Sequence, residues 1–211
     1  MANMLHVAAS PLGVGSRSNE VALELVDAYR NLHPGREGAT VDVWNVDLPD
    51  FDRAMIAAKF AVLRSHDATD EQQAQWARAV ELSQLFNQAD SYLFSVPMWN
   101  FGVPYRLKHY IDVITLPGQN WSWNRSHGYR PLLQDKRAVL VYSSAGDYPV
   151  APAGKAGSEE FQKPFMRKWL EFIGVEVVEE IVVGPTLADA DELAALLAHC
   201  KQRARTAAQV L

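Results

Sequence analysis

Cysteine is almost missing. Cys200 is the only one in 211 residues, so no intramolecular disulfide can form and a secreted scaffold held by cystines is excluded. The Gly-Lys-Ser/Thr ending of a Walker loop is absent, and GxGxxG does not occur. The usual cradles for a triphosphate and for a dinucleotide pyrophosphate are therefore lacking. Basic runs are missing too: 20 Lys and Arg stand against 25 Asp and Glu, a net charge of -5, which argues against a nucleic-acid partner. His6, His33, His66, His109, His127 and His199 show no metal-ligand spacing, so no metal is expected. No apolar run approaches a membrane span, and the first residues carry no charged-then-apolar leader. A soluble, cytoplasmic protein is the expectation. Internal repeats and low-complexity linkers are absent as well.

What is present is enough for one domain over residues 1–211, since 48% of the chain is hydrophobic and can sustain a core. Residues 4–9 read as a strand buried on both faces. Turn and cap residues follow from Ser10 to Asn19, then a helical stripe of Ala22, Leu25, Val26, Tyr29 and Leu32, closed by His33-Pro34-Gly35. A second strand is expected over 40–46, with a turn at 47–52. Helices follow at 55–63 and at 70–88, the latter capped by Thr69 or Asp70. The third strand is 91–96, and 104–114 is a helix with Pro104 in its first turn. Residues 116–131 read as irregular. A fourth strand spans 138–142, and a helix spans 158–173 with Phe161, Phe165, Trp169 and Phe172 inward. The fifth strand is 175–183, and 189–210 closes the chain as a helix. There Cys200 shares an apolar stripe with Leu193, Leu196, Leu197 and Ala204, while Asp189, Asp191 and Glu192 decorate the helix start.

Five strands alternating with helices imply an α/β fold: a five-stranded parallel sheet of order 2-1-3-4-5 with helices on both faces. Ligands bind such sheets beyond the carboxyl ends of the strands, where the order reverses. The loops after strands one, three and four should therefore form the site. The first offers Ser10, Ser16 and Ser18 with Arg17 and Asn19 at a helix start, which suits a phosphate, a monophosphate above all. Helix capping explains the same serines. The second, from Val96 to Pro104, ends a hydrophobic strand in Pro97, Met98, Trp99, Asn100 and Phe101. Apolar walls with a few aimed polar groups suit a flat heteroaromatic ligand, and core packing is the alternative. The third runs through Ser143, Ser144, Ala145 and Gly146, small enough for a ligand to approach the backbone, as an ordinary turn also would be.

The pattern Pro97-Met98-Trp99-Asn100-Phe101, followed by Pro104, Leu107-Lys108 and Ile111-Asp112, resembles the signature of FMN-dependent NADH azoreductases. These belong to the flavodoxin-like NAD(P)H:quinone oxidoreductases. The likeness extends over nearly the whole chain, through the Ser10–Ser18 loop and the small-residue loop after the fourth strand. It implies a flavodoxin-like fold and non-covalent FMN, its phosphate on Ser10, Ser16, Arg17 and Ser18. Pro97, Met98, Trp99, Asn100 and Phe101 would line the isoalloxazine, and Ser143, Ser144, Ala145 and Gly146 its pyrimidine side. The chain departs from the family at Ala145, usually glycine, and at Ser144, often a larger polar residue.

The implied chemistry is hydride transfer from NADH or NADPH to the flavin and then to a quinone or azo compound, in ping-pong order. It requires no catalytic acid or base, although Asn100 would aim at the ring or brace its loop. Trp121, with Trp123 beside it, is the expected stacking residue for substrate, and packing on its own subunit is the alternative. A homodimer is expected because Phe51, Phe60, Trp121 and Trp123 lie in edge connections with no interior place in one sheet. The competing arrangement is a monomer whose residues 116–131 fold over its own flavin. A flavodoxin-like electron carrier and a flavin-free scaffold are the other functional readings.

Overall fold

Buried apolar runs make the sheet. In the computed structural model, which describes residues 3–36, 38–63, 68–148 and 160–211, β1 (Met4–Ala8) is buried at every position. So is β3 (Ser91–Pro97) up to Val96. With β2 (Gly38–Asp42), β6 (Lys136–Ser143) and β7 (Val175–Val183) they form a parallel sheet of order β2-β1-β3-β6-β7. Strands buried on both faces lose the polar alternation of half-exposed ones, which is why β1 and β3 are mostly hydrophobic, with His6, Ser91 and Ser95 as buried polar exceptions.

Successive side chains point to opposite faces of the sheet. Leu5, Val7, Tyr92, Phe94, Leu140 and Tyr142 face one core, shared with α3 (Asp70–Asn87), α4 (Tyr105–Ile114) and α5 (Gln162–Ile173). Met4, Leu93, Val139 and Val141 face the other, covered by α1 (Arg17–Leu32) and α6 (Ala190–Ala207). Each large side chain buried in this way contributes about 1.5–3 kcal/mol. The remaining helix, α2 (Arg53–Leu63), packs beside α3.

Several sequence expectations are corrected. The five expected strands pair in the neighbour order 2-1-3-4-5, which becomes β2-β1-β3-β6-β7 in chain numbering because two unanticipated strands intervene. These are β4 (Trp121–Asn124) and β5 (Gly128–Pro131), a separate antiparallel hairpin in the segment read as irregular. Asn120 anchors it: its Oδ1 accepts from the Leu116 amide at 3.1 Å and its Nδ2 donates to the Ile114 carbonyl at 2.7 Å. The second strand stops at Asp42 rather than residue 46, where the Asp42 carboxylate accepts from the Trp44 amide at 2.9 Å and the Asn45 side chain at 2.6 Å. Such local bonds compete with the ladder.

Leu32 is 47% exposed, since α1 ends there. Pro104 is the N-cap of α4 and lies just outside it. The helix expected from 158 begins at Gln162, and 158 itself lies outside the described residues. Its buried face is Gln162, Met166, Trp169, Leu170 and Ile173. Phe161 is exposed and Phe165 and Phe172 are half-buried, so of the expected inner face only Trp169 is fully inside. The cap at Thr69 stands as read, in a capping box with Gln72 at the start of α3, whereas Asp189, read only as decorating the last helix, is the N-cap of α6 and accepts from the Glu192 amide. Cys200 is buried, its Sγ 3.5 Å from the Val182 carbonyl.

Candidate cofactor site

The first loop leaves β1 at Ala9 and turns back through a 3-10 turn at Gly13–Gly15, where Gly13 has φ +52. Ser16 is the N-cap of α1, yet its hydroxyl does not cap the helix; it meets the Ser18 hydroxyl at 3.1 Å. The first amides of α1 therefore have no side-chain acceptor from their N-cap or, among the described residues, from elsewhere. They and the positive end of the helix dipole favour an anion beside Ser16. Arg17 is half-exposed and pairs with Glu20 at 2.9 Å. Glu20 also meets Lys201 at 2.8 Å, and that hydrogen bond, ahead of the one from Arg17, holds its carboxyl below the usual range.

In the second loop the Met98 amide donates to the Ser143 carbonyl at 2.7 Å, tying this loop to the third. Trp99 and Gly102 exchange backbone hydrogen bonds at 3.0 and 2.9 Å, enclosing a two-residue turn. Its residues, Asn100 and Phe101, have φ +47 and +68. This left-handed conformation favours glycine and costs other residues about 1–2 kcal/mol each. Such strain persists where neighbouring contacts enforce it, often at ligand clamps. Here the Phe161 amide donates to the Phe101 carbonyl, and the Gln162 side chain to the Val96 carbonyl, both at 2.8 Å. The signature helix is anchored by buried Leu107 and Ile111, while Lys108 and Asp112 pair on its surface at 2.7 Å.

The third loop holds Ser143 and Ser144, both buried. The Ser144 hydroxyl donates to the Gly146 carbonyl at 2.9 Å. The segment after β7 braces this loop: the Ser144 carbonyl accepts from the Thr186 amide at 2.9 Å, and that of Ala145 from Leu187 at 3.3 Å. A Cβ on Gly184 would lie 2.6 Å from the Ser144 Oγ, so glycine permits this approach.

These loops enclose a cavity of about 360 Å³. Of the expected site residues, Ser10, Ser16, Arg17, Pro97, Met98, Trp99, Ser143, Ser144 and Ala145 line it. Ser18 does not; it is fully buried behind Ser16. Asn100 lines a second cavity of about 480 Å³ beyond Trp99, with Tyr105, Lys108, Phe161 and Phe165. Phe101 and Gly146 line neither. Trp121 also lines neither cavity of its own subunit; its ring packs on Tyr129 and Phe172, each at 5.5 Å.

Sequence reasoning missed two contributors. Thr186 lines the first cavity; its one signal was Gly184-Pro185 ending a strand at the same sheet edge. Trp44 packs against Trp99 at 5.5 Å and donates its indole N–H to the Ala9 carbonyl at 3.0 Å. Nothing in the sequence marked it. Among the described residues, no group of three or more His, Cys, Asp or Glu side chains could hold a metal ion.

The donor set fits FMN: hydroxyls and uncapped helix amides for a phosphate monoester, small side chains at one wall, and an indole at the other. The chain matches the flavodoxin-like fold family over residues 2–207. An FMN-dependent NADH:quinone oxidoreductase of Desulfotalea psychrophila is 36% identical over 212 residues, covering 100% of this chain and 98% of the relative. FMN-dependent NADH:quinone oxidoreductase 3 of Pseudomonas fluorescens is 35% identical, covering 92% and 93%. A solved FMN-dependent NADH-azoreductase from Bacillus anthracis, in complex with FMN, has the same fold, with a TM-score of 0.86 at 21% identity over 99% of this chain and 98% of that one. By family match and by relatives aligned over almost its full length, the chain belongs to the flavodoxin-like fold family and, within it, to the FMN-dependent NADH:quinone oxidoreductases.

Proposed function

We propose that this protein is a cytoplasmic, single-domain, FMN-dependent NADH oxidoreductase that reduces quinones and aromatic azo compounds by two-electron transfer in ping-pong order. One observation carries this reading: an uncapped helix start, a ring of hydroxyls and the Trp99 ring beside the strained turn converge on one cavity, in a chain whose relatives are named for that activity.

In this reading Ser10, Ser16 and the first amides of α1 hold the phosphate, with Ser18 orienting the Ser16 hydroxyl and Arg17 adding charge. Trp99 and the backbone from Pro97 to Phe101 hold the ring, and the segment from Ser143 to Gly146 meets its pyrimidine side. FMN, when bound, supplies the hydride chemistry, taking hydride from NADH and passing it to the acceptor. The protein orients both partners in turn against one exposed face and keeps water from it. Asn100, at the tip of the strained turn, braces the ring edge, and no side chain serves as acid or base.

A homodimer completes the site. Trp99, Phe101, Tyr105 and Phe161 are exposed at 37%, 48%, 66% and 63%, an aromatic rim of the kind enriched in interface cores. Phe51 packs on its own core and Trp121 on its own hairpin, so neither needs a partner to cover it. In a dimer Trp121 would serve the partner's site. Mixed dimers of a Ser16/Ser18 mutant with a Trp121 mutant regain one intact site only if it does. A sedimenting mass near one 23.5 kDa chain with full turnover would end the dimer claim.

Denaturation of the reconstituted protein should release FMN, and the holoprotein should oxidise NADH steadily with a quinone. FMN binding without NADH oxidation would instead mark an electron carrier. Failure to take up any flavin would leave only the fold.

A further inference from the structure

A buried polar chain runs beneath the first loop. His6 on β1 and Ser95 on β3 are 1% and 0% exposed. The His6 Nε2 lies 2.9 Å from the Ser95 Oγ, and that hydroxyl donates to the Asn19 Oδ1 at 3.2 Å. Asn19 in turn donates through Nδ2 to the Gly13 carbonyl at 3.0 Å. The directions are determined. A carbonyl only accepts, so Nδ2 faces Gly13; the Ser95 proton is spent on Asn19, so His6 must donate through Nε2. The same Gly13 carbonyl accepts from the Ser16 amide at 3.2 Å. The chain thus ends on the atom that fixes the N-cap serine.

The other ring nitrogen, His6 Nδ1, is buried with no hydrogen-bond partner among the described residues. An apolar residue would avoid leaving a buried acceptor unpaired. Burial also draws the His6 pKa down to about 4, which keeps the ring neutral, while the hydrogen bonds set its tautomer. Leu93 and Val139 on this face of the sheet show that apolar packing serves the neighbouring positions.

We propose that His6, Ser95 and Asn19 are positioning residues: a hydrogen-bonded relay that sets Gly13 and Ser16 for a phosphate monoester and so gives the site its preference for a phosphorylated flavin. This inference rests on the FMN reading above and adds residues that lie outside the cavity.

The test is fluorescence titration of the full-length, flavin-stripped chain with FMN and with riboflavin, using the wild type, Ser95→Ala, Asn19→Ala and His6→Leu, each checked for folding by circular dichroism. The wild type should bind FMN more tightly than riboflavin. Each folded variant should lose FMN affinity by about tenfold, the equivalent of one ordinary hydrogen bond, and keep its riboflavin affinity. A merely structural role would weaken both flavins together, and that result overturns the proposal, as does an unchanged FMN preference in the variants. A wild type indifferent to the phosphate would remove the FMN reading itself and the relay with it. Should His6→Leu fail to fold, Asn19→Ala, a half-buried helix position, decides the question alone.

Discussion

The loop after β1 and the turn after β3 start from neighbouring strands and open on one cavity, yet they are built in opposite ways. In the loop, the left-handed position is occupied by Gly13, and the groups presented are hydroxyls and amides. In the turn, left-handed φ falls on Asn100 and Phe101, and the neighbouring Trp99 presents a ring. The ligand chemistry explains the difference. A phosphate is recognised by N–H and O–H groups that a relaxed glycine-bearing backbone can supply. A flat ring requires side-chain walls, which glycine cannot provide. The turn therefore keeps its large residues and is held in its strained shape by Ser143, Phe161 and Gln162.

The largest expected effect breaks this comparison at the phosphate end. Replacing Ser16 and Ser18 together by Ala should weaken FMN by about 3 kcal/mol, roughly a hundredfold, the upper worth of one hydrogen bond to a charged group, since Ser16 alone of the two lines the cavity. Riboflavin affinity should hold. Equal loss of both ligands in calorimetric titration would mean that the loop is not a phosphate cradle.

The loop should also rest on an acid-sensitive support that the turn lacks. His6 has a pKa of about 4 in the fold against 6.5 for the free side chain. Below pH 6.5 the unfolded chain takes up a proton that the folded chain refuses until about 4. Stability is therefore unaffected by this group above 6.5 and falls as pH drops from 6.5 to 4, by about 3 kcal/mol in all. Thermal melts across this range should show a steeper loss in the wild type than in His6→Leu. Parallel curves would acquit His6.

A smaller effect should mark the strain in the turn. At ordinary positions Ala is more stabilising than Gly, but at positive φ the order inverts. Asn100→Gly should therefore exceed Asn100→Ala in urea stability by about 1 kcal/mol. Flavin reduction by NADH should be slower in Asn100→Ala than in the wild type. Ala above Gly would show the turn to be relaxed. The least effect belongs to Trp121. Trp121→Phe should leave FMN affinity unchanged, since its proposed role is toward substrate, and a measurable loss would place that ring against the flavin itself.

Much of this arrangement was legible because it is local. The buried runs of β1, β3 and the middle of β6, the capping box at Thr69, and the motif from Pro97 to Asp112 each declare themselves within a few residues. Hydrophobic period and capping chemistry act over that range. The hairpin at 121–131 was missed because only tertiary packing of Trp121 and Tyr129 on Phe172 makes its short strands worth forming.

The sequence alone therefore determined where the three loops emerge and which chemical groups they carry. Tertiary structure alone decided which groups meet. It withdrew Ser18 behind Ser16, brought Trp44 against Trp99, and delivered Thr186 from the end of β7. It also joined His6 to Ser95 across 89 residues and Ser95 to Asn19 across 76. Contacts at such separations follow from the order of strands in the sheet, and no local period encodes them.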